Sequence, residues 1–186
     1  VMDSFSKFAE AIPIQSHTAT VVARHLVDNV FSRYGVPIRL LSDQGPEFES
    51  ALMAELCRSH GIEKIRTSSY KPSTNGAIER FHRTLNSMLG KVVAESQRDW
   101  DQHVAPVMSA YRSTIHASTG YTPNFLVYGR ENRAEIDLVL AVDDEPEGVG
   151  TSPDVYVDEL LQRQRKAYRL VRQHLGRAAE RRKKEY

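Results

Sequence analysis

The sequence predicts a mixed α/β domain that is followed by a purely helical segment. Short apolar runs bounded by turn residues alternate with helical periodicities in the first half of the chain, whereas only helical periodicities follow. The 186 residues include 40% hydrophobic amino acids, which is enough for a packed core. No run approaches the roughly 18 apolar residues of a membrane span. The single cysteine excludes a disulfide framework and a cysteine-rich zinc module.

Four short segments have the composition of strands, because they are apolar and are bounded by turn residues. The first three residues are expected to end a strand that begins upstream of Val1. The other strands are predicted at residues 7–14, 38–41 and 62–67.

Five helices are predicted from apolar residues that recur at helical spacing. Gly35 and Gly61 are expected to end the first two helices, and a polar loop at residues 70–76 precedes the third. The predicted helices span residues 18–34, 46–60, 77–92 and 100–111, and a last one runs from Pro153 almost to the end of the chain.

The net charge of +1 hides an uneven distribution of charge. Residues 151–186 contain 10 lysine and arginine residues and 5 acidic ones, a net charge of +5, whereas residues 1–150 carry a net charge of −4. We therefore predict a core at residues 1–140, an acidic linker at 141–152 and a basic linker helix at 153–186. The basic helix indicates either a polyanionic partner or a solvated helix face, and its charge favours neither.

Two carboxylates stand out by their predicted positions. Asp43 follows the strand at residues 38–41, where α/β sheets place ligand-binding groups, although Asp is also a common turn former. Glu79 lies in the first turns of the helix after the polar loop, where it could also complement the helix dipole and pair with Arg83. Each position alone favours the structural interpretation, and only the two together indicate chemistry.

Five segments, in the same order along the chain, resemble the integrase core of gypsy-type LTR retrotransposons and retroviruses. They are Val-Met-Asp-Ser-Phe-Ser-Lys-Phe at 1–8, Ser-Asp-Gln-Gly-Pro-Glu-Phe at 42–48, Tyr-Lys-Pro-Ser-Thr-Asn-Gly at 70–76, Ile-Glu-Arg-Phe-His-Arg-Thr-Leu at 78–85 and Tyr-Thr-Pro-Asn-Phe-Leu-Val-Tyr-Gly-Arg at 121–130. The resemblance covers about residues 1–138. Five collinear segments make it highly specific.

This resemblance implies a ribonuclease-H-like fold and the Asp–Asp–Glu triad of polynucleotidyl transferases. Asp43 matches the second Asp of that triad, and Glu79 matches its Glu. Their hard oxygens suit Mg²⁺ or Mn²⁺. Two such ions, about 3.5–4 Å apart, would activate the attacking hydroxyl and stabilise the leaving oxygen. The implied activities are processing of the 3′ ends of the element and strand transfer into target DNA.

The first Asp of the triad belongs on a strand upstream of Val1, so the resemblance implies a fragment cut inside the amino-terminal hairpin of the core. Asp3 matches the Asp of the family's Asp-x-Phe-Ser-Lys segment, and we expect it to support a turn rather than to bind metal. These 186 residues alone are therefore expected to lack activity. The family's zinc-binding and DNA-binding modules would lie upstream and downstream of this sequence.

The resemblance also implies DNA as the partner, and five polar residues are candidates for contacting it. Arg83 and Asn86 are three positions apart and share one face of the helix that carries the matched Glu. Lys71, Thr74 and Asn75 lie in the polar loop before that helix, where functional residues are common. A homo-oligomer without membrane contact is expected, and the DNA target implies a nuclear location.

Two other functions stay open. A domesticated or decayed integrase-like module would bind DNA or protein without chemistry, and an Asp about ten to twenty residues upstream of Val1 would argue against it. A ribonuclease H that cleaves RNA–DNA hybrids would share the fold. The segments at residues 42–48 and 70–85 argue against it, because they match integrases.

Overall fold

The computed structural model describes residues 1–67, 72–93, 99–132 and 152–184. The chain forms two compact units: a central unit, Ile12–Val104, and a terminal unit that joins Val1–Ala11 to Ala105–Tyr186. The terminal unit is therefore discontinuous in sequence. Within the described residues, no helix is both long enough and apolar enough to cross a membrane.

Helices dominate both units. The first elements are α1 (Ala19–His25), a π-helical segment (Leu26–Phe31), α2 (Ser32–Tyr34), β1 (Arg39–Ser42), α3 (Ala51–Ser59), β2 (Glu63–Arg66) and α4 (Pro72–Val92). The later elements are α5 (Trp100–Ser113), α6 (Pro123–Tyr128) and α7 (Pro153–Lys184). The helix predicted at residues 18–34 is thus confirmed, with a π-helical segment inside it, and it ends at Gly35, whose φ is +86°.

Strands β1 and β2 are parallel neighbours, with Arg39 opposite Glu63 and Ser42 opposite Arg66. Helix α3 provides the crossover that a parallel pair needs, and it packs against β2. Both strands therefore end at the same edge of the sheet. The N–H of Thr67 extends the ladder by donating to the carbonyl of Ser42 at 2.9 Å. The strands predicted at 38–41 and 62–67 are confirmed to within one residue at each end.

The core of the central unit forms where α3 meets the first helices. Met53 and Cys57 on α3 are buried with residues that precede and follow them in sequence, namely Ala23, Leu26, Phe31 and Ile62. The free cysteine Cys57 is a core residue, as its apolar neighbours predicted. Its burial raises the pKa of the thiol.

Helix α3 begins later than its apolar pattern predicted. The hydroxyl of Ser50 accepts a hydrogen bond from the N–H of Met53 at 3.1 Å and so caps a helix that starts at Ala51. The N–H of Phe48 donates to the carbonyl of Gly45, which places Pro46 in a turn. The prediction of a helix from Pro46 was wrong, because the Ser50 cap defines the start.

The strand predicted at residues 7–14 does not form. Met2 and Ala9 instead make a single antiparallel bridge, and Lys7 turns the chain at a φ of +62°. The carboxylate of Asp3 holds this tight hairpin, because its Oδ2 accepts hydrogen bonds from the N–H and the hydroxyl of Ser6 at 2.7 and 2.6 Å. Asp3 therefore supports a turn, as expected from its position.

The prediction of a polar loop at residues 70–76 was wrong for the last five of these residues, because α4 begins at Pro72. Proline fits a first helical position, since its φ is already helical and no N–H is needed there. Gly76 lies inside the helix and is not among the glycines with positive φ, so it does not provide a turn. Residues 70–71 lie outside the described residues.

Helix α7 confirms the helix predicted from Pro153, and it packs on α6 of the same chain. Val171 of α7 is fully buried against Leu126 of α6. The Tyr168 hydroxyl donates to the Leu126 carbonyl at 2.8 Å, and Nδ1 of His174 lies 3.0 Å from the Thr119 carbonyl oxygen. The predicted acidic linker at 141–152 lies outside the described residues, except for its last residue.

Gly129 ends α6 in the left-handed region, at a φ of +74°, and lies against α7. A Cβ at this position would come within 2.7 Å of Nε2 of Gln164 and 2.8 Å of Cδ1 of Leu160. We expect Gly129→Ala to lower the free energy of unfolding by about 1–3 kcal/mol, since it adds both backbone strain and steric overlap. Urea unfolding followed by circular dichroism measures this change.

The matched control is Gly176→Ala in the middle of α7. A Cβ there would meet no atom within 4 Å, so the substitution should raise stability by up to about 1 kcal/mol through higher helix propensity. Equal effects of the two substitutions would contradict the close packing of α7 at Gly129.

Candidate active site

Asp43 lies directly after β1, at the edge where both parallel strands end. Its side chain is exposed, and its Oδ1 accepts a hydrogen bond from the N–H of Gly45 at 3.2 Å. Its Oδ2 has no hydrogen-bond partner among the described residues. Asp43 thus shapes the turn, and among the described residues its second carboxylate oxygen is not used by the protein.

Two groups of contacts attach the segment after Asp43 to β2. The Gln44 side-chain amide donates to the Thr67 carbonyl at 3.0 Å, just beyond the end of β2. Farther along, Glu49 forms ion pairs with Lys64 and Arg66 on β2, each at 2.7 Å. The turn between β1 and α3 is therefore fastened to the neighbouring strand near both of its ends.

The pKa of Glu49 is held below its ordinary value, first because the Lys64 ammonium donates a hydrogen bond to it and further because Arg66 is nearby. A lowered pKa means that folding favours the ionised carboxylate. The ion pairs therefore stabilise the fold fully above the ordinary Glu pKa of about 4.3, and that contribution is lost as the pH falls through the lowered pKa.

Glu79 projects from α4 and is exposed. Its carboxylate forms no hydrogen bond or ion pair within the described residues, and in particular it does not pair with Arg83. Of the two structural roles considered for Glu79, the ion pair one helical turn away is therefore not formed. The other role, complementing the helix dipole from the first turns, is weakened because α4 begins at Pro72 and Glu79 is its eighth residue.

The candidate DNA-contacting residues divide into three groups. Arg83 and Asn86 are exposed on α4. Thr74 and Asn75, expected in a loop, are instead part of the first turns of α4, and Lys71 lies outside the described residues. The early start of α4 thus corrects their local structure.

The two carboxylates have the chemistry that Mg²⁺ or Mn²⁺ requires, since their oxygens are hard ligands. Within the described ranges, no group of three or more His, Cys, Asp or Glu side chains could hold a metal. Mg²⁺ commonly retains water and takes one or two protein carboxylates together with substrate phosphates. Carboxylates such as those of Asp43 and Glu79 are the type of protein ligand that an open site of that kind uses.

Sequence reasoning missed Gln44 and Glu49 as supports of this site. Their contacts reach Thr67 and the strand β2, 23 and 15 residues farther along the chain. For Glu49 the only signal in the sequence is its charge, which does not identify a basic partner 15 residues away. Gln44 is neutral and contacts a backbone carbonyl, so the sequence gives no signal for it. Lys64 and Arg66 are two positions apart, so their side chains share one face of β2. That shared face identifies them as partners of Glu49 only when the position of β2 beside β1 is known.

The parallel pair β1–β2 with its crossover helix α3 is compatible with a ribonuclease-H-like α/β fold, and the solved structures that match this chain show that class of fold. The catalytic core domain of BIV integrase matches with a TM-score of 0.57 and 26% identity, over 69% of this chain and 82% of that one. The HTLV-2 integrase catalytic core domain, in complex with magnesium in a trimeric form, matches with a TM-score of 0.53 over 66% of this chain and 78% of that one. Its 20% identity supports the fold alone.

The sequence comparisons give the particular family. Residues 1–72 match the integrase core domain. The Gag-Pol polyprotein of feline leukemia virus is 36% identical over 69% of this chain and 8% of that polyprotein. These matches confirm the resemblance that the five sequence segments indicated, to the integrase core of retroviral and retrotransposon Pol polyproteins. It spans about a tenth of the length of the curated relatives it matches.

Proposed function

We propose that this chain forms part of the catalytic core of a DNA integrase, which processes the 3′ ends of a mobile element and joins them to target DNA. The observation that carries the proposal is that Asp43 and Glu79 are exposed carboxylates with no ion-pair partner among the described residues, in a chain whose residues 1–72 match an integrase core domain. The integrase family consists of metal-dependent polynucleotidyl transferases.

In this proposal Asp43 and Glu79 hold two divalent cations, Mg²⁺ or Mn²⁺. When bound, the cations supply Lewis acidity that favours the attacking hydroxyl and the leaving oxygen of an in-line displacement. The anionic side chains hold the cations from the sheet edge and from α4. The HTLV-2 integrase catalytic core domain, which shares the fold, was solved in complex with magnesium.

The remaining site residues would position DNA. Arg83 is exposed on the same helix as Glu79 and would bind a phosphate, while Asn86 would donate to the backbone or to a base edge. Lys71, Thr74 and Asn75, at the start of α4 or directly before it, would contact the end of the element.

The test is joining of a labelled DNA end to a plasmid by the natural polypeptide that contains residues 1–186. Joining that requires Mg²⁺ or Mn²⁺ is the expected result. DNA binding without any joining would contradict the proposal and favour an inactive integrase-like module. Cleavage confined to RNA–DNA hybrids would favour a ribonuclease H.

We expect DNA binding to be sequence-independent and sensitive to salt. Removing one phosphate contact with Arg83→Ala should reduce the slope of log K against log salt concentration by about 0.9 on duplex DNA. Arg58→Ala is the matched control, since Arg58 lies in the same unit and is already paired with Glu55 at 2.6 Å. Fluorescence anisotropy over a salt series measures both slopes, and identical slopes for the two variants would rule out a phosphate contact at Arg83.

Assembly and location follow from the same proposal. A related integrase has been solved as an intasome and another in a trimeric form, which supports a homo-oligomer for this chain. A nuclear location is proposed because target DNA is there.

A further inference from the structure

Glu49 makes a two-armed contact with one face of β2. Its Oε1 lies 2.7 Å from Nζ of Lys64, and its Oε2 lies 2.7 Å from a terminal nitrogen of Arg66. Lys64 and Arg66 are two positions apart on the strand, so their side chains share a face. The Glu49 carboxylate therefore contacts two residues of β2, and each of its oxygens pairs with a different basic side chain.

The environment of this contact differs from that of the other ion pair on the sheet. The side chains of Lys64 and Glu49 are only 15% and 27% exposed, whereas Arg66 is 67% exposed and Arg39 and Glu63 are 68% and 58% exposed. An ion pair shielded from water is screened less than an exposed one. The Lys64–Glu49 pair can therefore hold a backbone segment more firmly than the Arg39–Glu63 pair can.

The segment that Glu49 fixes is the turn that carries Asp43. The N–H groups of Phe48 and Glu49 both donate to the Gly45 carbonyl, at 2.9 and 3.0 Å, so the turn is compact. Oδ1 of Asp43 accepts from the Gly45 N–H, which links the carboxylate to the same turn. A shift of Glu49 would therefore be transmitted to Asp43 through Gly45.

We propose that Glu49 is a positioning residue for Asp43: by binding Lys64 and Arg66 it holds the turn at residues 43–50 against β2 and so fixes the orientation of the Asp43 carboxylate. Glu49 does not itself touch metal or substrate. The inference rests on the proposed function only in assigning Asp43 to a cation.

The test measures Mn²⁺ affinity by electron paramagnetic resonance of the free ion, on the natural polypeptide that contains residues 1–186. Glu49→Gln keeps the size of the side chain and removes its charge. We expect its dissociation constant for Mn²⁺ to rise about 10-fold, the lower end of the effect of residues that orient metal ligands. Hydrogen exchange should increase at residues 43–50.

Glu63→Gln is the matched control, because it removes the same charge from an exposed ion pair on the same sheet. It should leave both Mn²⁺ affinity and exchange at residues 43–50 unchanged. Asp43→Asn reports on the proposed function itself and should weaken Mn²⁺ binding at least as much as Glu49→Gln. Thermal unfolding of each variant detects any loss of the fold.

A second route uses the partner of Glu49. Lys64→Met should weaken Mn²⁺ binding in the same direction, and Glu49→Gln combined with Lys64→Met should weaken it less than the sum of the two single effects. The cycle needs both single variants to be folded, whereas Lys64→Met by itself tests the proposal if Glu49→Gln is poorly folded.

These measurements distinguish the positioning role of Glu49 from the metal-binding role of Asp43. Weaker binding by Asp43→Asn, with wild-type binding by Glu49→Gln and Lys64→Met, would overturn the positioning role and leave the proposed function intact. Wild-type binding by Asp43→Asn would overturn the metal role of Asp43 and, with it, the role of Glu49. Equal weakening by Glu49→Gln and Glu63→Gln would overturn the positioning role, since it would indicate a general effect of sheet charge.

Discussion

Asp43→Asn and Glu79→Gln are each expected to reduce metal-dependent strand transfer by at least about 100-fold. An amide keeps the shape of the side chain but loses the negative charge that a divalent cation requires, and a few kcal/mol of lost transition-state stabilisation correspond to that factor. Both side chains are exposed, so the fold should persist. The measurement is joining of a labelled DNA end by the natural polypeptide, with circular dichroism as a check on folding.

Asp28→Asn provides the control, because Asp28 is an exposed carboxylate of the same central unit. It should join DNA at the wild-type rate. Wild-type joining by Glu79→Gln would remove Glu79 from the active site, and an equal loss in Asp28→Asn would indicate a nonspecific effect of charge.

The elements that position Asp43 were predictable because their signals are local. The apolar run that forms β1 is bounded by Pro37 and by the polar Ser42-Asp43, and these neighbours define a short strand wherever it packs. Helix α7 was predictable for a similar reason, since its apolar spacing persists over many turns. The sequence thus placed Asp43 at a strand end before any tertiary contact was known.

The errors arose where tertiary or capping contacts decide the structure. Residues 7–14 have apolar side chains in a strand-like pattern, yet the Asp3–Ser6 turn leaves them with only one bridge. The segment 70–76 is rich in turn residues, yet Pro72 starts a helix. In both places the composition was compatible with two local structures, and composition alone cannot rank them.

Helix α6 was missed for a different reason, because its signals were present but short. The hydroxyl of Thr122 accepts from the N–H of Phe125 at 3.1 Å, Pro123 follows as the first helical residue, and Gly129 ends the helix. Six residues are too few to show a periodicity. Its contact with α7 makes this helix important to the terminal unit.

Val171→Asp is expected to destabilise the terminal unit by several kcal/mol. Val171 is 0% exposed and packs with Leu126 between α7 and α6, so an ionised carboxylate there would lose its hydration without gaining a partner. Helix α7 should then detach from α6. Trypsin, which cleaves after the many arginines of α7, should digest the helix much faster than in the wild-type protein, and thermal unfolding should begin at a lower temperature.

Val157→Asp is a closely matched control, because it makes the same substitution in the same helix at a position that is 48% exposed. Its effect on stability should stay within about 0.5 kcal/mol. This pair of variants separates a helix that is an integral part of the terminal unit from a linker that only connects modules. If both variants resist trypsin as well as the wild-type protein does, then α7 does not depend on its contact with α6. If only Val171→Asp is digested, α7 is held in the terminal unit by its buried contact with α6.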